Sequence, residues 1–279
     1  VSLMAHAHPG DEVIIDPESH IFLYEVGSLS SVAGLMPMPV RSRDGMLDPD
    51  EVAAAIRGPN IHFPTPRLLC LENTHNRGGG RVVPIDLHRR LCAVAKERGL
   101  SVHLDGARIF NASVASGVPA AEYAREADSV MFCLSKGLSC PLGSLVVGSA
   151  EFIERARRCR KQIGGGMRQA GVIAAAGIVA LENMIDRLVE DHASARLLAQ
   201  GISDVPGFGV DAERVETNMV FVDHTESGLD SDTVLARLKA AGVLAGSSPP
   251  HRIRFVTNRH HDEGIINEAV ARIRGAWAV

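Results

Sequence analysis

Short apolar runs alternate with longer amphipathic stretches along most of this chain. DEVIID (11–16), RLLCLEN (67–73), SVHLDGAR (101–108) and SVMFCLS (129–135) carry compact runs of apolar or sulfur-bearing side chains. Each is bounded by polar or glycine residues, which predicts buried strands rather than helices. LMPMPV (35–40) predicts a short edge strand, because proline cannot donate to a ladder. GSLVVGS (143–149) predicts a further strand. Helices are expected between them. One lies in DGMLDPDEVAAAIRG, with Asp48 as cap, Pro49 in the first turn and Gly58 as stop. PIDLHRRLCAVAKERG (84–99) is amphipathic and closed by Gly99. NASVASGVPAAEYAREA is helical in pieces, broken by Gly117 and Pro119, and AEFIERARRCRKQI forms a basic amphipathic helix. VSLMAHAH reads as the end of a helix closed by Pro9–Gly10, and a long helix is expected from about Gln169 to Leu198.

This alternation predicts an α/β fold, with a mostly parallel sheet covered by helices on both faces. A new rhythm starts after GISDVPGFG (201–209): strand VETNMVFVDH, helix SDTVLARLKAAGV, strand RIRFVTN and a closing helix. The tail predicts a second, smaller α/β domain. The expected boundary lies inside the long helix near Asp191, giving a large domain over 1–190 and a small one over 191–279.

Composition removes several classes of function. A net charge of −4 offers no footprint for nucleic acid or a membrane surface, and 4% aromatics offers no stacking platform. The longest apolar run, AGVIAAAGIVAL (170–181), is too short to span a bilayer, and VSLMAHAHPGDE has no basic leader followed by an apolar stretch. The five cysteines are odd in number and lack a CxxC spacing, which predicts reduced thiols and a cytoplasmic location. His260–His261 lacks a matching third ligand, so no metal site is expected. NRGGGR (76–81) fits neither phosphate-binding glycine pattern and reads as a flexible turn.

Ligands of open α/β sheets bind beyond the carboxyl ends of the strands. His20, His75, Asp105 and Lys136 fall there, with Arg108 just after Asp105. Lys136 stands where a buried strand meets a glycine-containing loop. Desolvation there favours the neutral amine, a nucleophile towards carbonyls, although a lysine at a strand end can also extend to solvent. An aspartate on a neighbouring strand end adds a specific chemistry. The lysine could hold an aldehyde as a Schiff base while the aspartate pairs with a protonated pyridine nitrogen, as pyridoxal 5'-phosphate requires.

HLDGARIFNA, DSVMFCLSKGLSCPLGS, LENTHNRGGG and GGGMRQAGVIAAAGI resemble the low-specificity L-threonine aldolases, fold-type-I pyridoxal-phosphate enzymes, and the resemblance runs through nearly the whole chain. It implies an aspartate-aminotransferase-type three-layer α/β/α large domain and a small C-terminal domain. It also implies retro-aldol cleavage of L-threonine, L-allo-threonine or a related β-hydroxy amino acid to glycine and an aldehyde. Lys136 would carry the cofactor, Asp105 bind its ring nitrogen and His20 stack on its ring. Arg108 and Arg254 would bind the substrate carboxylate, and His75 would lie near the β-hydroxyl. Arg168 would reach the cofactor phosphate of a neighbouring subunit in a homo-oligomer, a dimer or tetramer with sites at its interfaces. In the family a Ser-Gly-Thr-x-Gly-Asn loop also grips that phosphate, and these residues open just inside the helix that would follow it. The chain is then either a piece of a longer enzyme or a short form with weakened cofactor affinity. Two other readings stand beside the aldolase: a related β-eliminating lyase, and a cofactor-free fragment that serves only as a folding or interaction partner.

Overall fold

In the computed structural model, which describes residues 1–278, six strands form the main sheet: β1 (Glu12–Ile15), β2 (Met36–Pro39), β3 (Pro66–Glu72), β4 (Ser101–Asp105), β5 (Ser129–Cys133) and β6 (Ser144–Gly148). Their order is β2-β1-β3-β4-β5-β6. The first five are parallel and β6 runs antiparallel to β5. Alternation along the central strands sends side chains to two separate cores. Val13, Ile15, Leu68 and Cys70 face one cluster with Leu3 and Leu29. Ile14, Leu69 and Leu71 face the other with Leu91 and Tyr123. Both faces are therefore buried, and so these strands read as continuous apolar runs.

The first cluster is covered by α1 (Ser2–His6), α2 (His20–Leu23) and α3 (Ser28–Ser31). The second lies under α4 (Pro49–Ala55), α5 (Ile85–Glu97), α6 (Ile109–Ser116) and α7 (Ala120–Glu126). Asp48 caps α4 by accepting from the Asp50 N–H, with Pro49 in the first turn. Helix α8 (Ala150–Gln162) packs on α1 and β6.

The single long helix expected over 169–198 is two helices, α9 (Gly171–Asn183) and α10 (Leu188–Ile202). The break serves two cores. Leu188 packs with Leu134 and Leu138 of the large domain, whereas Ala195, Leu198 and Ile202 enter the core of the small one. A straight helix would not turn one stripe towards both. Arg187, at the break, bonds Asp191 at 2.6 Å.

The small domain contains β7 (Met219–Asp223), α11 (Ser231–Ala240), β8 (Gly246–Ser247), β9 (Arg252–Val256) and α12 (Glu263–Trp277). Its strands form an antiparallel sheet in the order β7-β9-β8. The two-residue β8 carries too little pattern to be visible in the sequence. No helix among the described residues is long and apolar enough to cross a membrane.

Candidate active site

Strands β3, β4 and β5 end side by side at Glu72, Asp105 and Cys133. Beyond β4 and β5 opens a cleft of about 590 Å³, lined by His20, Asp105, Met131, Cys133 and Lys136 together with residues of α1 and α3. Asp105 is buried, and its Oδ1 accepts the Ala107 N–H at 3.0 Å. Burial, then the neighbouring charge of Glu72, pushes its pKa up to about 6. A buried carboxyl held this way favours a cationic partner.

Lys136 follows β5 in a turn closed by the Leu134 N–H to Gly143 C=O bond, the Cys140 N–H to Leu134 C=O bond and the Ser139 N–H to Lys136 C=O bond. Leu134 and Leu138 anchor the turn in the core, which leaves Lys136 half-buried at the cleft. His20 begins α2; its backbone N–H donates to Glu72 Oε2 at 2.6 Å, and its ring meets Tyr24 edge-on with centroids 4.8 Å apart.

Arg108 and Arg254 come from different domains. Arg108 precedes α6, and Arg254 lies on β9. The Nε of each is buried without a hydrogen-bond partner among the described residues. Arg254 Nη1 donates to Asn76 Oδ1 at 2.6 Å. Burial, then the charge of Arg254, lowers the pKa of Arg108. Two neighbouring guanidiniums with donors unused in protected surroundings form a receptor for a planar anion such as a carboxylate.

His75 does not line the cleft. It is 1% exposed, against a small void shared with Asp16 and Glu72. Its Nδ1 accepts the Gly78 N–H at 3.0 Å, and its Nε2 sits 3.1 Å from Asp16 Oδ2, off the line of a well-formed hydrogen bond. Burial opposes a charged ring, but Asp16 and Glu72 outweigh it and raise the pKa. In the neutral ring, Nδ1 accepts the Gly78 N–H and the proton sits on Nε2, on the side of Asp16. The turn expected at 76–81 is a closed loop, with the Gly80 N–H bonded to His75 C=O and a bridge between His75 and Arg81. Arg168 is exposed in the loop between α8 and α9 and does not line the cleft.

Three features escaped the sequence reading. Glu72 accepts two backbone N–H groups, from His20 at 2.6 Å and Asn76 at 2.8 Å. A charged residue ending an apolar strand, as Asp105 does, was the available signal. Asp16 also accepts from the Ser42 hydroxyl, so it joins β1's end to His75. Beside the cleft, the Ser129 hydroxyl lies 2.6 Å from His6 Nε2 and 2.7 Å from His103 Nδ1.

Pyridoxal phosphate, the cofactor implied by the sequence, needs an amine for its aldehyde, a carboxylate for its ring nitrogen and a flat group against its ring. Lys136, Asp105 and His20 fit these needs on one cleft, and the buried carboxyl of Asp105 suits a protonated ring nitrogen.

The beta-eliminating lyase family model matches residues 1–226. Low-specificity L-threonine aldolase 1 of Arabidopsis thaliana is 43% identical over 266 residues, covering 94% of this chain and 74% of that protein. The low specificity L-threonine aldolase of Escherichia coli K12 is 41% identical over 279 residues, covering 99% and 79%. The solved structure of Leishmania major threonine aldolase superposes with a TM-score of 0.82 at 20% identity, covering 98% of this chain and 80% of that one, which shows the shared fold. With strand-end chemistry, fold and relatives in agreement, the chain belongs to the beta-eliminating lyase family, among its low-specificity L-threonine aldolases.

Proposed function

We propose that this chain is a pyridoxal-phosphate-dependent aldolase that cleaves L-threonine, L-allo-threonine or related β-hydroxy-α-amino acids to glycine and an aldehyde. The observation that carries the reading is the convergence of Lys136, Asp105 and His20 on one cleft, with the unsatisfied Arg108 within the fields of Arg254, Glu72 and Asp105. When bound, pyridoxal phosphate supplies an electron sink for the pair left on Cα as the Cα–Cβ bond breaks.

The side chains supply the rest. Lys136 presents the amine that holds the cofactor's aldehyde. Asp105 keeps the ring nitrogen protonated, and His20 covers the ring. Arg108 and Arg254 hold the substrate carboxylate through their fork of donors. His75, closed off from the cleft, positions the 76–81 loop that brings Asn76 to Arg254. The proton of the β-hydroxyl then falls to a base that faces the cleft; of the two histidines that line it, His103 is buried with its Nδ1 on the Ser129 hydroxyl, which leaves His20 for this role.

The proposal includes the division into domains over 1–190 and 191–279, and an assembly of at least two copies. Val172, Ile178 and Val179 of α9 and Met167 in the preceding loop are exposed apolar side chains, which supports burial against another subunit. Arg168, in the same loop, would then reach a neighbouring subunit's cofactor phosphate. Light scattering of purified protein tests this; a monomer at assay concentration sinks it. Five unpaired thiols support a cytoplasmic setting.

The test of the reaction is purified protein with pyridoxal phosphate and L-threonine. Glycine and an aldehyde should appear in equal amounts, and the visible band of the lysine-bound cofactor should vanish in Lys136→Ala. A persisting band would remove Lys136 from its role. The family match also favours a second reading, β-elimination; release of a thiol from cysteine-type substrates without cleavage of threonine would select it.

A further inference from the structure

Glu72 is buried beside the cleft, and none of the roles above uses it. Resting on the aldolase reading, we propose that Glu72 is a positioning residue that holds the ring-covering histidine and the carboxylate-binding arginine in one frame. Its Oε2 accepts the His20 N–H at 2.6 Å, and its Oε1 accepts the Asn76 N–H at 2.8 Å. Asn76 passes the constraint on, since its Oδ1 accepts from Arg254 Nη1 at 2.6 Å. Strand β3 fixes the carboxylate itself, because Glu72 pairs in register with Asp105 and the next residue, Asn73, donates its N–H to Asp105 C=O at 2.9 Å.

One carboxylate thus spans a helix start 52 residues earlier in the chain and a loop that contacts the other domain. Charge-assisted bonds of this length are about twice as strong as neutral ones, and they orient both donors from one rigid strand end. A neutral amide cannot replace it. Gln at this position could accept only one of the two N–H groups and would turn its own NH2 towards the other. Arg108 lies within the field of Glu72, so the carboxylate also offsets part of the positive charge gathered for the substrate.

The test compares Glu72→Gln, Asn76→Ala and the double variant with the parent holoenzyme, reading KM for L-threonine, the cofactor dissociation constant from the visible band, and Tm. Asn76→Ala should raise KM about tenfold and leave cofactor affinity unchanged, the size expected for one charged hydrogen bond. Glu72→Gln should weaken both by about tenfold. The double variant should show no further rise in KM over Glu72→Gln, because both act on Arg254 through one path. Glu72→Gln that lowers Tm while KM and cofactor affinity stay within about twofold overturns the proposal, as do KM effects that multiply in the double variant. Should Glu72→Gln fail to fold, an unchanged KM in Asn76→Ala overturns it alone. Absence of glycine and aldehyde from L-threonine in the parent holoenzyme would overturn the underlying aldolase reading instead, whatever Tm and cofactor affinity do in the Glu72 variants.

Discussion

Glu72 and Asp105 stand opposite each other in register across the β3–β4 ladder, so two buried carboxylates end adjacent parallel strands. They are not equivalent. Glu72 receives two backbone N–H groups, one on each oxygen, and Asp105 receives one, from Ala107. Asp105 is the carboxyl whose pKa rises to about 6, through burial first and Glu72 second. The less satisfied member faces the cleft, where a protonated ring nitrogen would complete it.

Asp105→Asn should therefore stabilise the cofactor-free protein at neutral pH. The folded-state pKa of Asp105 lies above the ordinary value of 3.8, so its buried charge costs stability as pH rises from about 4 to 6. Removing that charge at pH 7.5 should gain roughly 1–3 kcal/mol, visible as a Tm several degrees higher. The gain should disappear near pH 4, and aldolase activity should fall by orders of magnitude. Calorimetry of the two apoproteins at both pH values decides; equal Tm at pH 7.5 would mean that the carboxyl is already compensated.

Arg108→Gln separates substrate binding from folding. Its guanidinium is shielded beside Arg254 with an unused Nε, so its loss removes repulsion rather than a bonded pair. KM for L-threonine should rise about 10–100-fold with Tm unchanged or higher. A lower Tm with unchanged KM would assign Arg108 to the scaffold.

Acid should weaken the fold through His6 and His103, which share the Ser129 hydroxyl. Burial is the main cause that holds His103 at about 3 and His6 at about 4. Both pKa values lie below the unfolded value near 6.5, so the stability they contribute is complete above that pH. It is lost as pH falls from about 6.5 towards 3–4, where the unfolded chain binds protons that the folded one refuses. Tm should decline across this window, and His103→Gln should flatten the decline. An unaltered slope in that variant would show that other groups drive acid unfolding.

Gly45→Ala reads the packing around His75. Gly45 has φ +81°, and a Cβ there would collide with the Cβ and ring of His75. Gly10, at φ +93°, has no neighbour that a Cβ would meet. Gly10→Ala should cost about 1 kcal/mol of backbone strain, and Gly45→Ala about 1–3 kcal/mol more. Chemical denaturation measures both; equal costs would mean that His75 moves freely.

The buried strands, the α/β class and the placement of His20, Asp105 and Lys136 at or beyond strand ends are legible in the order of residues alone. These features are local: an apolar run, a glycine boundary and a residue's offset from a strand are all written in consecutive positions. Its motifs also carried the family. Which polar groups meet depends instead on how distant segments pack. Glu72 faces Asp105 because β3 is parallel to β4 in one register, and His6 reaches Ser129 across 123 residues. Asn76 finds Arg254 only because the small domain folds back onto the 76–81 loop. The break between α9 and α10 has the same origin, since Leu188 and Leu198 answer to different cores. The same distinction placed His75 away from the cleft. Its position after β3 was readable, but the direction of its ring was set by Asp16 and Gly78, partners fixed by strand register and loop closure.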